Sequence, residues 1–427
     1  MKNNIRVAII GIGSCAKSLV EGTQYYIKNQ NKLVGLMYPN IGDYTVNNIK
    51  YVCGFDVDIR KVNKPLITAL RAKPNCSMDI VDEIDNTCIQ NGAIVYSGPQ
   101  LDGIADHMLD YPEEVSFRVG AEPAISRKRY MELLKYHKVD VVISYLPVGS
   151  TEASNWYLTG AIKAGCHIVN CVPTSISTED AMELEQLAID NNVTIVGSDM
   201  RSAYGASRLS EVLQGSMIDS GLLVTQHIQE NKACGSTQGQ EHIQNGRTAN
   251  TDFLNMAKQN RLHDKHVSKE NVLKGQNTVR NLGIEGMTLY AGPSLTVEQK
   301  PGGTYLASDN KIANIDIVAY GFGGARYELT CRLSVQDSPN SGGVVISAIR
   351  FCKVASEMGI VGYLRGASAW TQKTPPLQMK TMDAKFECDS LAKRELTKYT
   401  KPQLIQNNPK AKNLEYSFQT AHSDYEK

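Results

Sequence analysis

The apolar run Ile5–Ile10 passes straight into Gly11-Ile12-Gly13-Ser14-Cys15-Ala16, and then into a stretch with helical apolar spacing, residues 16–28. No other feature restricts the chain so tightly. A strand, a glycine turn and a helix in that order open a βαβ unit that holds a dinucleotide. Gly11 permits the tight turn, Gly13 lets the backbone approach a pyrophosphate, and Ala16 lets the helix pack close to the strand. The helix N-terminus, carrying Ser14 and Cys15, turns unsatisfied N–H groups toward the anion. Gly11, Gly13, Ser14, Cys15 and Ala16 are therefore candidate cofactor-binding residues.

The pattern that follows agrees. Strand-like runs at 50–54, 93–96, 139–145, 167–171 and 194–197 alternate with helical patterns at 126–137, 152–164 and 178–191. This alternation predicts an α/β fold with a doubly wound parallel sheet. The run Val139–Leu146 is almost continuously apolar, as a central strand covered on both faces must be. Near residue 199 the character changes. A helical pattern at 207–220 precedes alternating segments at 222–229, 312–320 and 327–335, which predict an open, mostly antiparallel sheet with one exposed face. Residues 231–250 are rich in Gly, Asn, Gln and Thr and are expected to loop. A helical pattern returns at 343–358. From Met379 the chain is polar and Lys-rich, which predicts a loose tail.

A dinucleotide site needs an acidic partner for the ribose, normally about 20 residues past the glycines. Here the second strand ends later, at Phe55-Asp56-Val57-Asp58, so residues 29–48 must loop out first. Asp56 or Asp58 could hold a ribose hydroxyl, with Asp56 the candidate, and a carboxylate there disfavours a 2′-phosphate. NAD is thus favoured over NADP. Ser144-Tyr145-Leu146-Pro147-Val148-Gly149-Ser150 also sits at a strand's carboxyl end, the edge that lines the ligand crevice in such sheets, so Tyr145 joins the candidates. Ser150 is expected to cap the helix after it.

Composition excludes several classes. The 427 residues carry 45 Lys+Arg against 44 Asp+Glu, a net charge of +1, which leaves no broad basic field for nucleic acid. No stretch approaches the ~20 apolar residues of a membrane span. No secretory signal is evident, and the ten cysteines show no Cys-x-x-Cys pair, so reduced thiols in a cytoplasmic protein are expected. The eight histidines form no H-x-x-x-H set, so no metal-ligating residue is assigned.

Segments 7–16, 54–58, 98–104 and 143–150 resemble the myo-inositol-1-phosphate synthase family in its short bacterial and archaeal-like form. So do Asp252–Met256, Val267–Lys269, Gln336–Ser341 and Lys373–Pro376, giving ordered agreement over residues 5–378. The resemblance implies an NAD-dependent conversion of glucose 6-phosphate to inositol phosphate by oxidation at C5, enolisation, intramolecular aldol closure and re-reduction. It implies a Rossmann-type NAD domain over 1–200 and 340–378, a catalytic and tetramerisation domain over 201–339, a tail from 379 to 427, and a homotetramer. Some short-form members use a divalent ion, which leaves room for one here.

The resemblance also implies site residues. Lys265, Lys311 and Lys373 are expected to handle the C5 oxygen, the C1 oxygen and the phosphate together, with Lys311 as general acid/base. Tyr157, Asp199, Ser202, Asp252, Asp337 and Ser338 are expected to line the cofactor and substrate site. The chain departs from the family pattern at Arg201, where lysine is usual, in Asp199-Met200-Arg201-Ser202, and in extra residues at 295–307. Arg201 is placed with the catalytic residues, able to hold an anion but not to carry a proton away. These departures keep two alternatives open: a related sugar-phosphate cyclase with another product, and a non-catalytic NAD-binding protein.

Overall fold

A computed structural model describes residues 4–111, 113, 116–120, 123–172, 178–232, 255, 272–273, 289–293 and 309–396. Lys265, Asp252, residues 233–250 and residues 295–307 lie outside the described residues.

Seven parallel strands form the first sheet: β1 (Ile5–Ile10), β2 (Ile49–Asp56), β3 (Val95–Ser97), β4 (Val141–Ser144), β5 (His167–Asn170), β6 (Thr194–Val196) and β11 (Gly362–Tyr363). Their order is β11-β6-β5-β4-β1-β2-β3, so the winding direction reverses between β1 and β4. A crevice opens at such a switch point, outside the strands' carboxyl ends. Side chains alternate across the sheet, and each face has its own core. Val7, Ile9, Val141 and Ile143 pack toward the helices α1 (Ser14–Lys28), α2 (Leu66–Leu70) and α7 (Asp337–Glu357). Ala8, Ile10, Val142 and Ile168 pack toward α3 (Arg127–Tyr136), α4 (Thr151–Lys163) and α5 (Thr178–Asp190). The continuous apolar run at 139–146 follows from burial on both sides.

The second sheet has the order β10-β9-β7-β8, from β7 (Leu223–Lys232), β8 (Leu289–Pro293), β9 (Asn310–Tyr320) and β10 (Arg326–Gln336). β9 pairs antiparallel with both β7 and β10, whereas β8 runs parallel to β7. Helix α6 (Ala206–Asp219) covers one face, where Ile218, Ile315, Ile317 and Ala319 form a small core. On the other face Glu328, Thr330, Arg332 and Ser334 are exposed, as the alternation at 327–335 predicts. The alternation of β7 is reversed by a bulge: Val224 pairs with Ala319 and Gln226 with Val318, leaving Thr225 without a partner. Beyond the bulge the inward residues are polar, His227, Gln229 and Asn231.

β10 runs into α7 with no loop between them. α7 begins at Asp337, six residues before the helical spacing at 343–358 becomes visible, because Pro339 falls in the first turn, where its missing N–H is not needed. α7 then lies beside α1 and carries the chain back to the first sheet. Residues 29–48 loop out as expected, but they pack on α7: the buried Arg350 guanidinium donates to the carbonyls of Tyr38 and Pro39 at 2.8 and 2.9 Å.

The expected loose tail from 379 is corrected over its first part. α8 (Arg365–Thr371) and α9 (Thr381–Ala392) pack together, and Ala384, Cys388 and Leu391 of α9 are buried. Cys388 and Leu391 join the core under α7. The stripe is narrow, three residues at i, i+4 and i+7, in an otherwise polar segment, which hid it from a reading of apolar periodicity. If α9 is a core element, Leu391→Ala should lower the unfolding free energy by about 2–4 kcal/mol, measured by urea denaturation of the full chain.

Candidate active site

One elongated cavity runs along the crevice at the switch point and reaches the second sheet. Its wall includes Gly11, Gly13, Ser14, Cys15, Asp56, Tyr145, Tyr157, Asp199, Ser202, Lys311, Asp337, Ser338 and Lys373. Thus, of the sequence-predicted residues that are described, all but Ala16 and Arg201 meet there.

At the first-sheet end the glycine turn is fixed from three sides. Gly11 has φ 82°, and a Cβ there would lie 2.7 Å from the Tyr145 carbonyl oxygen, so only glycine fits. The Gly11 N–H donates to the Phe55 carbonyl at 2.8 Å. The Asp56 carboxylate accepts the Ile12 N–H at 2.7 Å and the Val57 and Asp58 N–H groups at 2.7 and 2.9 Å. At Gly13, by contrast, nothing stands within 4 Å of a would-be Cβ, so that position is open to a close ligand. Ala16 is fully buried against the core, as its packing task requires. The two candidate carboxylates, Asp56 and Asp58, differ in their surroundings. Asp58 is consumed by the Arg60 side chain and by the Arg60 and Arg118 N–H groups, while Asp56 faces the cavity.

Ser150 occupies the N-cap position of α4 but does not cap it. The Asp102 carboxylate does, accepting the Glu152 and Ala153 N–H groups at 2.7 and 3.1 Å. Ser150 and Tyr145 line the cavity, and their buried hydroxyls have no hydrogen-bond partner among the described residues. Two orphaned hydroxyls, an open glycine and a strand-end carboxylate suit a dinucleotide, whose riboses and pyrophosphate would satisfy them. Lys61 and Asn75 were not singled out from the sequence. Lys61 is buried in the wall, bonded to Asn75 at 2.9 Å, and Asn75 donates to the Ile12 carbonyl at 3.0 Å. Burial lowers the Lys61 pKa despite the nearby Asp56 and Asp58 carboxylates.

At the second-sheet end two ion pairs adjoin. Lys311 donates to Asp337 Oδ2 at 2.5 Å, and Lys373 donates to Asp199 Oδ1 at 2.7 Å and to the Met200 carbonyl at 2.9 Å. Ser202 Oγ donates to Asp337 Oδ1 at 3.2 Å. Burial pulls the Lys311 pKa down, but Asp337, Asp309 and Asp199 outweigh it and the net shift is upward. Lys311 therefore holds its proton at neutral pH. Behind this pair stands Asp309, which sequence reading passed over although it lies two residues from Lys311. Its carboxylate accepts Ser338 Oγ at 2.5 Å and the Ser338 N–H at 3.1 Å, and its carbonyl accepts the Asp337 N–H at 2.9 Å. Burial raises its pKa to about 7, with Asp337 adding to the rise and Ser338 and Lys311 opposing it. Cys15 Sγ contacts Ser338 Oγ at 3.8 Å, joining the glycine turn to α7. Burial and the two carboxylates push the Cys15 thiol up to about 12, so it stays neutral and unreactive. Tyr157 is buried in an aromatic cluster with Phe55, Tyr130 and Trp156. Among the described residues no three His, Cys, Asp or Glu side chains cluster as metal ligands.

The expectation for Arg201 is corrected. Met200 and Ser202 face the cavity, but Arg201 points the other way and is 2% exposed. Its guanidinium donates to the Gln372 carbonyl at 2.6 Å and to Glu211 Oε2 at 2.8 Å, an oxygen shared with Arg208 at 2.9 Å. Arg208 in turn lies 3.9 Å over the Trp370 ring. Arg201 ties α6 to the segment before Lys373 and touches nothing in the cavity.

Comparison with known proteins places this geometry among relatives. A family model described as myo-inositol-1-phosphate synthase matches residues 238–338. The chain is 35% identical over 381 residues to an inositol-3-phosphate synthase of Corynebacterium glutamicum, covering 88% of this chain and 95% of the relative. It is 36% identical to one of Mycolicibacterium smegmatis, covering 90% and 97%. Its fold matches a solved myo-inositol-1-phosphate synthase-related protein from Thermotoga maritima with a TM-score of 0.69, at 20% identity over 91% of this chain and 98% of that one.

Two outcomes check the electrostatic reading. Glu211→Ala leaves two buried guanidinium groups sharing no carboxylate and should cost about 3–5 kcal/mol of stability in chemical denaturation. Asp309 binds its proton more tightly folded than unfolded, so its contribution is full below about pH 4 and is lost as pH rises through about 7. Asp309→Asn should remove that loss, so the stability gap between wild type and variant should shift in the variant's favour from pH 4 to pH 8, read by urea unfolding across pH.

Proposed function

The chain belongs to the myo-inositol-1-phosphate synthase family, and from that premise we propose that it converts D-glucose 6-phosphate to 1D-myo-inositol 3-phosphate with no net redox change. The observation that carries this reading is the single cavity joining the glycine turn to the Lys311–Asp337 and Lys373–Asp199 pairs. A cyclisation of this kind needs a dinucleotide and oxyanion-stabilising cations at one place. NAD, when bound, supplies reversible hydride acceptance at C5, which acidifies the C6 proton. Gly13, Ser14 and Asp56 would hold it, with Tyr145, Tyr157 and Ser150 along its length.

The protein's own residues then do the following. Lys311 keeps its proton at Nζ, which suits it to donate toward a sugar oxygen as negative charge develops there, rather than to abstract a proton. Asp337 holds the ammonium in place and is itself steadied by Ser202. Lys373, gripped by Asp199 and the Met200 carbonyl, presents a second ammonium to the same space. Lys265 and Asp252 are assigned to this site on the family pattern. Arg201 supports the reading by its position: the departure from the usual lysine falls behind the wall, outside the reacting space. This removes one of the two reasons to expect another product; the other, the extra residues at 295–307, lies outside the described residues.

We also propose the division of labour expected above, with dinucleotide binding over 1–200 and 340–378 and catalysis and assembly over 201–339. We assign a cytoplasmic homotetramer joined through the second sheet. Its exposed face and the fully exposed Phe322 at the β9–β10 turn favour such a contact. No helix among the described residues is long and apolar enough to cross a membrane.

Purified protein with NAD and glucose 6-phosphate, without added reductant, should yield inositol phosphate by chromatography and mass spectrometry. Lys311→Ala and Lys373→Ala should each lower kcat by roughly 100-fold or more while the dinucleotide still binds. Absence of product from the wild-type protein would overturn the assignment.

A further inference from the structure

The loop that follows β3 supplies a stretch of the cavity wall: Pro99, Gln100, Asp102 and Ile104 all line it, beside Asp56 and Tyr157. At the start of the loop the Gly98 N–H donates to the Asp56 carbonyl at 2.9 Å, and further on Asp102 holds the first turn of α4. Gly103 follows with φ 93°, packed so closely on Ser150 that a Cβ would lie 2.1 Å from the hydroxyl oxygen. On either side of Ile104 the backbone turns polar groups inward, and both are met by one side chain. Asn255 Nδ2 donates to the Gly103 carbonyl at 2.6 Å, and Asn255 Oδ1 accepts the Ala105 N–H at 2.8 Å. Asn255 is 0% exposed and Ala105 1%.

Asn255 comes from a distant part of the chain. It lies between β7 and β8 of the second sheet, 150 residues past Ala105. It stands behind the wall and is not one of the side chains that line the cavity. The resemblance that covers residues 252–256 implies a site role for Asp252 and none for Asn255. A side-chain carboxamide carries the same donor and acceptor as a peptide group, so one asparagine completes both bonds as a neighbouring strand would. Aspartate lacks the donor, and alanine lacks donor and acceptor alike. A buried peptide group deprived of its partner costs more than the bond itself contributes. Without Asn255 the backbone at 103–105 would therefore shift to reach water. Ile104, bracketed by the two bonded residues, and Asp102, just before them, would shift with it.

We propose that Asn255 is a positioning residue for the dinucleotide. Acting from behind the wall, it fixes the loop 99–104 in the shape that receives the cofactor, so that NAD affinity depends on a side chain from the chain between β7 and β8. The inference rests on the NAD reading above and deepens it, because it places a determinant of cofactor affinity outside the first sheet and its glycine turn.

Calorimetric titration of the full-length protein with NAD tests it, alongside steady-state kinetics on glucose 6-phosphate. Asn255→Ala should raise the Kd for NAD by roughly 10-fold or more, while kcat at saturating NAD stays within threefold of wild type. Asn255→Asp keeps the shape of the side chain and the acceptor for the Ala105 N–H, but sets a carboxylate oxygen against the Gly103 carbonyl. It should weaken NAD binding by roughly fivefold or more, and it decides the matter should the alanine variant fail to fold. An asparagine that serves packing alone would lower the melting temperature and leave the Kd for NAD within twofold, and that result in a folded variant overturns the inference by itself. So does a kcat at saturating NAD that falls as far as the affinity does, since the effect would then lie in the chemistry rather than in holding the cofactor. A wild-type protein that binds no NAD overturns the cofactor reading and the inference with it.

Discussion

The whole site hangs on a corner. β10 becomes α7 between Gln336 and Asp337 with no intervening loop, and Asp309 locks the bend with its carbonyl on the Asp337 N–H and its carboxylate on the Ser338 N–H and hydroxyl. The second sheet is thereby fixed to a helix that lies beside α1 on the first sheet. The glycine turn at one end of the cavity and the Lys311–Asp337 pair at the other are therefore spaced by covalent geometry and buried hydrogen bonds. Exposed ion pairs, typically worth about 0–1 kcal/mol, could not hold two sheets to the tolerance that hydride and proton transfer require. The carboxyl of Asp309 also sits where the N–H groups of a helix favour negative charge, yet burial and the neighbouring Asp337 carboxylate oppose ionisation. The compromise leaves it titrating near neutrality, so the corner that sets the site's geometry is itself sensitive to pH.

Much of the first sheet was legible because its physics leaves few choices. Strands buried on both faces must be apolar throughout, and a turn where a Cβ would stand 2.7 Å from a carbonyl oxygen permits little but glycine at Gly11. The second sheet was legible in kind and less so in detail. The alternation at β9 and β10 gives the exposed face directly. In β7 a one-residue bulge reverses it, and no local residue preference marks Thr225 as the place where that happens. β11, two residues long, pairs with β6 only because α7 has already returned the chain to that edge. α9 depends on the same return, and its narrow stripe acquires meaning from the core it meets.

The site divides along a similar line. The glycines, Asp56 and the family-matched Lys311, Lys373, Asp199, Ser202, Asp337 and Ser338 all line one cavity. Arg201 did not follow, because adjacent residues on an extended segment face opposite ways: if Met200 and Ser202 line the cavity, Arg201 must point behind it. Spacing within the sequence contained that information, but only once it was known which of the three faced inward. Lys61, Asn75 and Asp309 belong to no motif read from the sequence. Each earns its place from a contact between segments far apart in the chain, which single-sequence reasoning does not see.

Pairing each lysine with an aspartate has a chemical consequence. In a wall this enclosed desolvation lowers the pKa of an ammonium, as it does at Lys61 despite two nearby carboxylates. At Lys311 the adjacent carboxylates reverse that tendency, and the proton stays at Nζ. The charge is then available, but not free, because Asp337 already competes for it. A neutral sugar hydroxyl or carbonyl cannot displace a carboxylate at 2.5 Å. An oxygen acquiring negative charge can share the proton on more equal terms. On the proposed reading, an ammonium held in this way would favour the enolate of a sugar over its ground state. That difference, rather than tight binding of the sugar as such, is what lowers a barrier.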